Sequence, residues 1–391
     1  MTSLQNQPLT SDLIRGALEV ETTARGLRPH RLPDAVRRRD ADSQLLMTEA
    51  EPSGVRLALH TAATVLELET LPTRRFYPGA PARPHGSYDL VVDGELQDRQ
   101  SVDGGDILAL DMATGGHDLR PGVPGTLRFE LPGRPCRIEI WLPHNETTEL
   151  IALRANAPIE PAAQQAGPVW LHHGSSISQG SNAVGPTDIW PVLAARAAGV
   201  DLVNLGFGGS AMLDPFMARV MRDQPADLLS VKIGINVVNG DVMRLRAFTA
   251  AVHGFLDTIR DGHPDAPLLV ITPTFCAIHE ATPGPGGFDM AALGRGEMRF
   301  LATGDPAGVA GGQLTLQVIR EELGRIVTRR AEQDPQLHLL DGLELYGEAD
   351  AAEHPLPDNL HPDSATHRLI GERFTSLALT GSGPLSPSPL A

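Results

Sequence analysis

The sequence predicts a two-domain protein of the α/β class: a three-layer α/β/α domain with a parallel sheet, preceded by a smaller all-β sandwich of jelly-roll type. Three observations support this. Polar and apolar residues alternate in short runs over 55–155, strand-like and helix-like segments alternate after residue 165, and 391 residues suffice for about two domains. We expect an N-terminal extension over 1–50, the sandwich over 51–157 and the α/β domain over 165–382.

The sandwich is predicted from period-two alternation. Runs such as VRLALH, VLELET, TLRFELPG and CRIEIWLP place side chains alternately on two faces, and Gly, Pro, Asp or Asn interrupts them. This pattern is typical of half-buried antiparallel strands, and Asp93-Gly94 is a strong hairpin turn signal. We find no helix-period segment within this block.

The second half predicts βαβ units. Apolar runs that predict strands are followed by segments with helical periodicity: PVWLHH then DIWPVLAARAAG, VDLVNLG then LDPFMARVMRD, DLLSVKIG then VMRLRAFTAAVHGFLDTIRDG, APLLVITP then LTLQVIREELGRIVTRRAEQ, and LHLLDG then DSATHRLIGERFTSLAL. Such alternation favours right-handed crossovers on a parallel sheet. Ligands bind at the carboxyl ends of strands in open sheets of this kind, so the loops there are the candidate site.

Composition excludes several classes of partner. The formal net charge of -16 argues against nucleic acid or an anionic membrane, since both require clustered Lys and Arg. Two cysteines far apart give no disulfide framework, and we see no metal-ligand spacing, so we expect neither metal nor cofactor. The N-terminus lacks a signal-peptide pattern and no apolar run is long enough to span a membrane, so we expect a cytoplasmic protein.

Four loops of the second half carry the parts of a serine hydrolase. They are Gly174-Ser175-Ser176-Ile177-Ser178, the loop NLGFGGS ending at Ser210, Gly234-Ile235-Asn236, and Asp358-Asn359-Leu360-His361. A serine nucleophile needs a base, the base needs an orienting carboxylate, and the tetrahedral intermediate needs hydrogen-bond donors. Asp and His three residues apart can pair through Nδ1, although this spacing also occurs by chance.

Taken in order, these loops resemble the conserved blocks of the SGNH hydrolases, also called GDSL-type esterases. The resemblance covers roughly residues 165–380 and implies that Ser176 is the nucleophile, with Ser178 a turn or helix-cap residue. It further implies an oxyanion hole built from the N–H groups of Ser176 and Gly209 and the amide of Asn236. His361 would be the general base and Asp358 its orienting partner.

Two positions depart from the family pattern. Ser175 stands where the family has Asp, and Val237 follows Asn236 where Asp is common. Neither is an implied nucleophile, base or oxyanion donor, so the departures bear on the subfamily and on local support. An α/β-hydrolase is disfavoured because Ser178 occupies the second glycine position of the G-x-S-x-G elbow. The segment GFGGSA also fits the G-x-G-x-x-A pattern of dinucleotide-binding sites, with Asp227 about twenty residues further on. It follows the second strand of the unit and not the first, which disfavours a dinucleotide site.

The predicted function is hydrolysis of short-chain acyl esters, acetyl esters above all, of a sugar or small polyhydroxylated metabolite. The combination of the two domains resembles bacterial carbohydrate esterases that remove acetyl groups. An acyltransferase with the same triad and a non-catalytic carbohydrate-binding protein are the alternatives, and Trp141 and Tyr88 are available to stack on a sugar. Residues 277–312 form a long irregular segment that we expect to shape the acyl or alcohol pocket.

Overall fold

The computed structural model describes residues 3–111, 114, 116–163 and 167–387. The chain folds as two compact units, Met1–Ala166 with Val184–Thr187, and Gly167–Ala183 with Asp188–Ala391. The expected start of the second domain at residue 165 lies outside the described residues. Within those residues, no helix is both long enough and apolar enough to cross a membrane.

The first unit is built mainly of strands. Its described strands are β1 Gln5–Gln7, β2 Ile14–Arg15, β3 Glu19–Thr22, β4 Leu27–His30, β5 Arg56–Thr61, β6 Val65–Phe76, β7 Tyr88–Val92, β8 Glu95–Gln100, β9 Asp106–Leu110, β10 His117–Arg120, β11 Gly125–Glu130, β12 Cys136–Trp141, β13 Thr147–Ala155 and β14 Ile159–Pro161. Two short helices, α1 Asp34–Arg39 and α2 Ser43–Glu49, lie between β4 and β5.

These strands form two sheets around one core. An eight-stranded sheet has the order β10-β9-β6-β13-β4-β3, with β1 also on β13 and β11 on β6, and a six-stranded sheet has the order β14-β5-β12-β7-β8, with β2 on β5. Buried residues of both sheets, such as Leu57 and Ile138 from one and Leu68 and Leu153 from the other, belong to a single apolar cluster. This arrangement is a sandwich, while its jelly-roll connectivity stays a prediction.

Strands of the first fifty residues belong to both sheets, since β2 pairs with β5 and the other three join the eight-stranded sheet. Strand β1 pairs with β13 from Gln5 opposite Ala155, β3 pairs with β4, and β4 pairs with β13 at Leu27 opposite Leu150. Residues 1–50, which we expected to form an N-terminal extension, are therefore part of the first unit and its sheets. Strands of three or four residues are too short to establish a period-two pattern, and helices α1 and α2 interrupt them.

The second unit alternates strands and helices as predicted. Its described strands are β15 Val169–Gly174, β16 Asp201–Gly206, β17 Leu228–Lys232, β18 Leu268–Ile271, β19 Gly286–Phe288, β20 Phe300–Ala302 and β21 Leu337–Leu340. Its described helices are α3 Ser176–Gln179, α4 Trp190–Ala198, α5 Pro215–Asp223, α6 Ile235–Asn239, α7 Leu245–Gly262, α8 Met290–Leu293, α9 Leu316–Ala331, α10 Gly342–Leu345, α11 Glu348–Glu353 and α12 Ser364–Phe374.

Five strands of this unit form a parallel sheet in the order β16-β15-β17-β18-β21. The chain steps from β15 to β16 in one direction and from β16 to β17 in the other, so right-handed crossovers put α4 on one face and α5, α7 and α9 on the opposite face. Helix α12 packs on α4, and α7 packs on α5 and α9. The result is the predicted three-layer α/β/α architecture. Its topological switch point lies between β15 and β17, where ligands of such sheets bind.

Residues 277–312 are more ordered than the sequence indicated. Strands β19 and β20 form a two-stranded antiparallel hairpin with Phe288 opposite Phe300, and helix α8 lies between them. A short helical segment, Pro306–Gly311, follows. The expectation of an irregular segment was therefore wrong. The cause is length, since strands of three residues in a Gly- and Pro-rich context carry no measurable alternation.

Candidate active site

The loop after β15 presents Ser176 at the start of a very short helix. The Ser175 side chain accepts a hydrogen bond from the Ile177 N–H at 3.3 Å and so caps the N-terminus of α3. The helix is followed by its C-cap residue Gly180, which has φ of 112°. Ser176 is 8% exposed, so its hydroxyl is sheltered but reachable. Ser175 therefore performs a structural capping role at the position where the family has Asp.

Ser176, His361 and Asp358 form a continuous hydrogen-bonded chain. His361 Nε2 lies 2.9 Å from Ser176 Oγ, and His361 Nδ1 lies 2.8 Å from Asp358 Oδ2. The three residues come from the loop after β15 and from the loop before α12. The structure thus brings together the serine, imidazole and carboxylate that the sequence suggested, in the geometry of a nucleophile, a base and an orienting group.

Asp358 is held by more donors than His361 alone. Its Oδ1 accepts the N–H groups of Leu360 at 3.0 Å and His361 at 2.7 Å, and its Oδ2 also accepts Asn182 Nδ2 at 3.1 Å. Burial acts to raise the pKa of Asp358, but the hydrogen bonds from His361 and Leu360 outweigh it and the pKa is lowered. The carboxylate is therefore ionised near neutral pH.

The ionised carboxylate fixes the tautomer of His361. A carboxylate only accepts hydrogen bonds, so Nδ1 carries the imidazole proton and donates it to Asp358. The Nε2 lone pair then faces the hydroxyl of Ser176, which donates to it. This is the tautomer that a general base requires. Asp363, two residues beyond His361, caps α12 by accepting the Thr366 N–H at 2.9 Å, so the cap and the triad use different carboxylates.

The loop after β16 leaves one backbone donor unused. The Gly209 N–H has no acceptor among the described residues, and φ of 73° puts Gly209 in the left-handed region. The other N–H groups of Gly206–Ala211 have acceptors within the second unit: Gly206 donates to Asn204 Oδ1, Phe207 to Gly174 O, Gly208 to Gln179 Oε1, Ser210 to Phe207 O and Ala211 to Asn236 Oδ1.

Two further donors are available beside Gly209. The Ser176 N–H likewise finds no acceptor among the described residues. Asn236, the second residue of α6, uses its Oδ1 to accept the Ala211 N–H at 3.1 Å, which orients the side-chain amide and leaves Nδ2 as a donor. These are the groups that the resemblance assigned to the oxyanion hole. Val237, the second departure from the family pattern, is a buried core residue.

A buried network adjoins α3, where the resemblance implied only a turn or helix-cap role for Ser178. His172 Nε2 lies 2.7 Å from Ser178 Oγ, and its Nδ1 lies 2.8 Å from Ser230 Oγ, which also accepts the Trp170 indole N–H at 2.8 Å. Burial lowers the pKa of His172 well below 6.5, so the ring is neutral. Ser178 thus supports α3 from within the helix, and the signal for it was His172 in the preceding strand.

The second unit also places Gly174 against this network. A side-chain carbon at Gly174 would lie 2.3 Å from Ser178 Oγ and 3.3 Å from His172 Nε2, so only glycine fits where the strand turns into α3. Among the described residues, no group of three or more His, Cys, Asp or Glu is arranged to hold a metal ion.

Comparison with known families confirms the resemblance. Residues 169–279 match the model of the GDSL-like lipase/acylhydrolase family. That range holds Ser176, Gly209 and Asn236, whereas Asp358 and His361 lie beyond it. The comparison with curated proteins gave no match.

Solved structures resemble the chain over nearly its whole length. A salicylyl-acyltransferase, SsfX3, from a tetracycline biosynthetic pathway is 26% identical with a TM-score of 0.75, and the match covers 92% of each chain. A putative GDSL-like lipase from Bacteroides ovatus is 17% identical with a TM-score of 0.65, covering 95% of this chain and 96% of that one. A family two carbohydrate esterase from Cellvibrio japonicus is 13% identical with a TM-score of 0.58, covering 96% and 97%.

Proposed function

The chain carries a GDSL-like lipase/acylhydrolase domain and is a carboxylic ester hydrolase, and from this premise we propose that it acts through an acyl-enzyme on Ser176. The observation that carries the proposal is the hydrogen-bonded chain from Ser176 Oγ through His361 to Asp358, at 2.9 Å and 2.8 Å. In this proposal Ser176 is the nucleophile, His361 the general base and Asp358 the orienting carboxylate.

Acylation begins when Ser176 Oγ attacks the ester carbonyl carbon. His361 Nε2 removes the hydroxyl proton as the new C–O bond forms, and the imidazolium is stabilised by the Asp358 carboxylate at Nδ1. The tetrahedral intermediate then collapses, and His361 returns the proton from Nε2 to the leaving alcohol oxygen. The product of this half-reaction is an ester between Ser176 and the acyl group.

The developing oxyanion needs donors with no competing acceptor. The N–H groups of Ser176 and Gly209 meet this condition among the described residues, and Asn236 Nδ2 is oriented by the bond that Ala211 makes to the other amide atom. Fixed donors stabilise the intermediate because they need not reorganise as charge develops. Deacylation repeats these steps with water as nucleophile and His361 again as base.

The proposed substrate is a short-chain ester, acetyl above all, of a sugar or small polyhydroxylated metabolite. Support comes from the domain combination, since the carbohydrate esterase from Cellvibrio japonicus shares the fold over 96% of this chain. At that identity the likeness concerns fold alone, and the acyl length and alcohol rest on analogy.

Acyl transfer is the second candidate function. Its specific support is the 26% identity to a salicylyl-acyltransferase, the highest identity among the three structures described. In transfer, an alcohol replaces water in the second half-reaction, and the same His361 removes its proton. Product analysis with an added acceptor alcohol separates the two functions: a new ester in the product mixture indicates transfer, and free acid alone indicates hydrolysis.

A non-catalytic carbohydrate-binding role has less support. Trp141 and Tyr88, the aromatic residues suggested for sugar stacking, are 2% and 0% exposed, so neither ring face is accessible. The first unit also has a pocket of about 500 Å³, and none of its lining residues is Phe, Tyr or Trp. The lining residues are His60, Thr61, Ala62, Asp93, Pro135, Cys136, Arg137, Ala157, Pro158 and Glu160. A sugar bound there would therefore lack the stacking on an aromatic ring that most sugar-binding sites provide.

The experiment that tests the proposal is hydrolysis of p-nitrophenyl esters from acetate to octanoate by wild type and Ser176→Ala. We expect the turnover of wild type to decrease steeply for acyl chains longer than propionate. We expect Ser176→Ala to reduce kcat by about 10⁴-fold or more. Equal rates across chain lengths would contradict the short-chain preference. Turnover retained by Ser176→Ala, with unchanged folding by circular dichroism, would contradict the nucleophile assignment.

A further inference from the structure

Phe300 lies against the imidazole of His361, and a second phenylalanine packs on Phe300. The Phe300 ring meets the His361 ring edge-on, with centroids 5.5 Å apart and planes at 79°. Phe288 lies beside Phe300 at 5.1 Å between centroids, and it is 39% exposed. An aromatic pair with one exposed ring and the other ring on the base of the proposed triad is an unusual use of apolar surface.

The β19–β20 hairpin that carries both rings is fixed to the triad loop. The Phe300 N–H donates to Asp358 O at 2.9 Å, and Asn359 Nδ2 donates to Phe300 O at 3.2 Å. Asn359 has φ of 69°, a left-handed conformation that asparagine tolerates. Phe300 is therefore held beside His361 by hydrogen bonds at both its N–H and its C=O group.

The other side of the hairpin packs against the helix that carries Asn236. Strand β19 contacts α6, and Gly286 approaches Asn239 so closely that a side-chain carbon there would lie 1.8 Å from Asn239 Oδ1. The hairpin thus contacts both the loop of Asp358–His361 and the helix of Asn236. This position suits a wall of the substrate site better than a mobile surface insertion.

On the basis of the proposed function, we infer that Phe288 and Phe300 form the subsite for the leaving alcohol, and that this alcohol contains a ring with an apolar face. The leaving oxygen must lie within hydrogen-bond reach of His361 Nε2, because that atom returns the proton. The carbon skeleton attached to that oxygen consequently passes beside the imidazole, where the two rings lie. In acyl transfer the acceptor alcohol would occupy the same place.

The chemistry of the wall selects the class of alcohol. A flat apolar ring contributes most binding free energy when it packs against another flat apolar face, either an aromatic ring or the C–H face of a sugar. A short acyclic alcohol covers little of Phe288 and gains little from it. The shared feature of the expected substrates is therefore the ring, and its chemical source is decided by experiment.

The test compares three acetate esters of primary alcohols: benzyl acetate, a methyl glucopyranoside acetylated at O6, and ethyl acetate. The acetyl group is constant, so deacylation is the same for all three and differences in kcat/KM report the alcohol. We expect one ring ester to exceed ethyl acetate by about tenfold, and its chemistry identifies an aromatic or a sugar alcohol. Equal kcat/KM for all three would overturn the inference and leave the proposed function intact.

Variants of the exposed ring make the test specific. Phe288→Leu removes the flat face and should lower kcat/KM about tenfold for the preferred ring ester but less than about twofold for ethyl acetate, and Phe288→Trp should retain the preference. Met290→Ala is the matched control, since Met290 is 70% exposed and lies outside the ring pair. An equal loss for all three esters in Phe288→Leu would overturn the subsite. No turnover of any ester by wild type would contradict the proposed function itself.

Discussion

The two units of the chain bury polar groups in different ways. The first unit buries charged side chains in pairs: Asp89 is 0% exposed and accepts Arg99 Nε at 2.7 Å, and the buried Glu51 accepts a hydrogen bond from Arg75. Such pairs hold their partners in place because removing one member leaves an uncompensated buried charge. They give the sandwich a fixed structure without contributing groups that react.

The second unit also buries neutral histidines. His173 Nδ1 donates to Leu205 O of β16 at 2.8 Å, and His367 Nε2 donates to Ser181 O, shortly after α3, at 3.1 Å. Burial lowers the pKa of both His173 and His367 to about 4. The comparison teaches that the first unit depends on buried ion pairs, whereas the second unit also buries neutral histidines, whose protonation would place an uncompensated charge in its interior.

The largest expected effect concerns an ion pair of the first unit. Glu51→Gln keeps the shape of the side chain but leaves the Arg75 guanidinium buried without its counter-charge, and we expect a loss of about 4 kcal/mol in unfolding free energy. The kcat of the folded protein should not change. Urea denaturation and ester hydrolysis on the same samples measure both.

The control for this variant is a pair on the surface. Asp118 and Arg120 are 3.1 Å apart with exposed side chains, so Asp118→Asn should change stability by less than about 0.5 kcal/mol. Equal effects of Glu51→Gln and Asp118→Asn would show that burial does not distinguish these pairs.

The next effect concerns Asn236, the proposed oxyanion donor of the second unit. Asn236→Asp retains an oxygen that accepts the Ala211 N–H but replaces the Nδ2 donor with an acceptor. We expect kcat to fall at least as much as in Asn236→Ala, about 10²-fold to 10³-fold. If Asn236 acted only by holding the loop, Asp would restore most of the activity lost in the alanine variant, and kinetics of the two variants would reveal it.

The dependence of stability on pH sharpens the comparison. The pKa of His367 is lowered from 6.5 to about 4, so the unfolded chain binds a proton in this range that the folded chain does not. His367 therefore leaves stability unaffected above about pH 6.5 and lowers it as pH falls towards 4, by about 3 kcal/mol.

The measurement is urea denaturation of wild type and His367→Gln between pH 7 and pH 4. Gln can still donate to Ser181 O, and it does not titrate. The unfolding free energy of the variant should decrease less steeply with falling pH than that of wild type. The difference in slope should correspond to at most one proton bound on unfolding. Parallel curves for the two proteins would contradict a neutral, buried His367.

The smallest effect concerns a residue that the sequence did not indicate. Asn182→Ala removes one of the donors to Asp358 Oδ2 and leaves the bond from His361 Nδ1. We expect a loss of about 1 kcal/mol in transition-state stabilisation, or about fivefold in kcat/KM. A loss as large as that of Asn236→Ala would mean that Asn182 does more than support the carboxylate.

The sequence was sufficient for the architecture and for the three residues that the structure joins by hydrogen bonds. Long segments of clear periodicity predicted β15 to β18 and helices α4, α5, α7, α9 and α12, because each buries a continuous apolar face. Ser176 lies far in sequence from Asp358 and His361, and the resemblance to a family linked the three residues before the structure showed them in hydrogen-bond contact.

Other features depended on contacts that no local pattern records. The strands of residues 1–50 and the β19–β20 hairpin are too short for alternation to be visible. Asn182 meets Asp358 across 176 positions of sequence, and Phe300 meets His361 only through tertiary folding. The burial of Trp141 and Tyr88 was likewise decided by sheet packing, since aromatic residues in strands face either side.

The most direct test of the central claim is to trap the acyl-enzyme. Wild type mixed with p-nitrophenyl acetate and quenched in acid should carry one acetyl group, and fragmentation of the peptide should localise it to Ser176, within a loop where Ser175 and Ser178 are close neighbours. Ser176→Ala should carry none. An acetyl group on Ser175 or Ser178, or turnover by wild type with no covalent intermediate at any acid-quench time, would contradict the account.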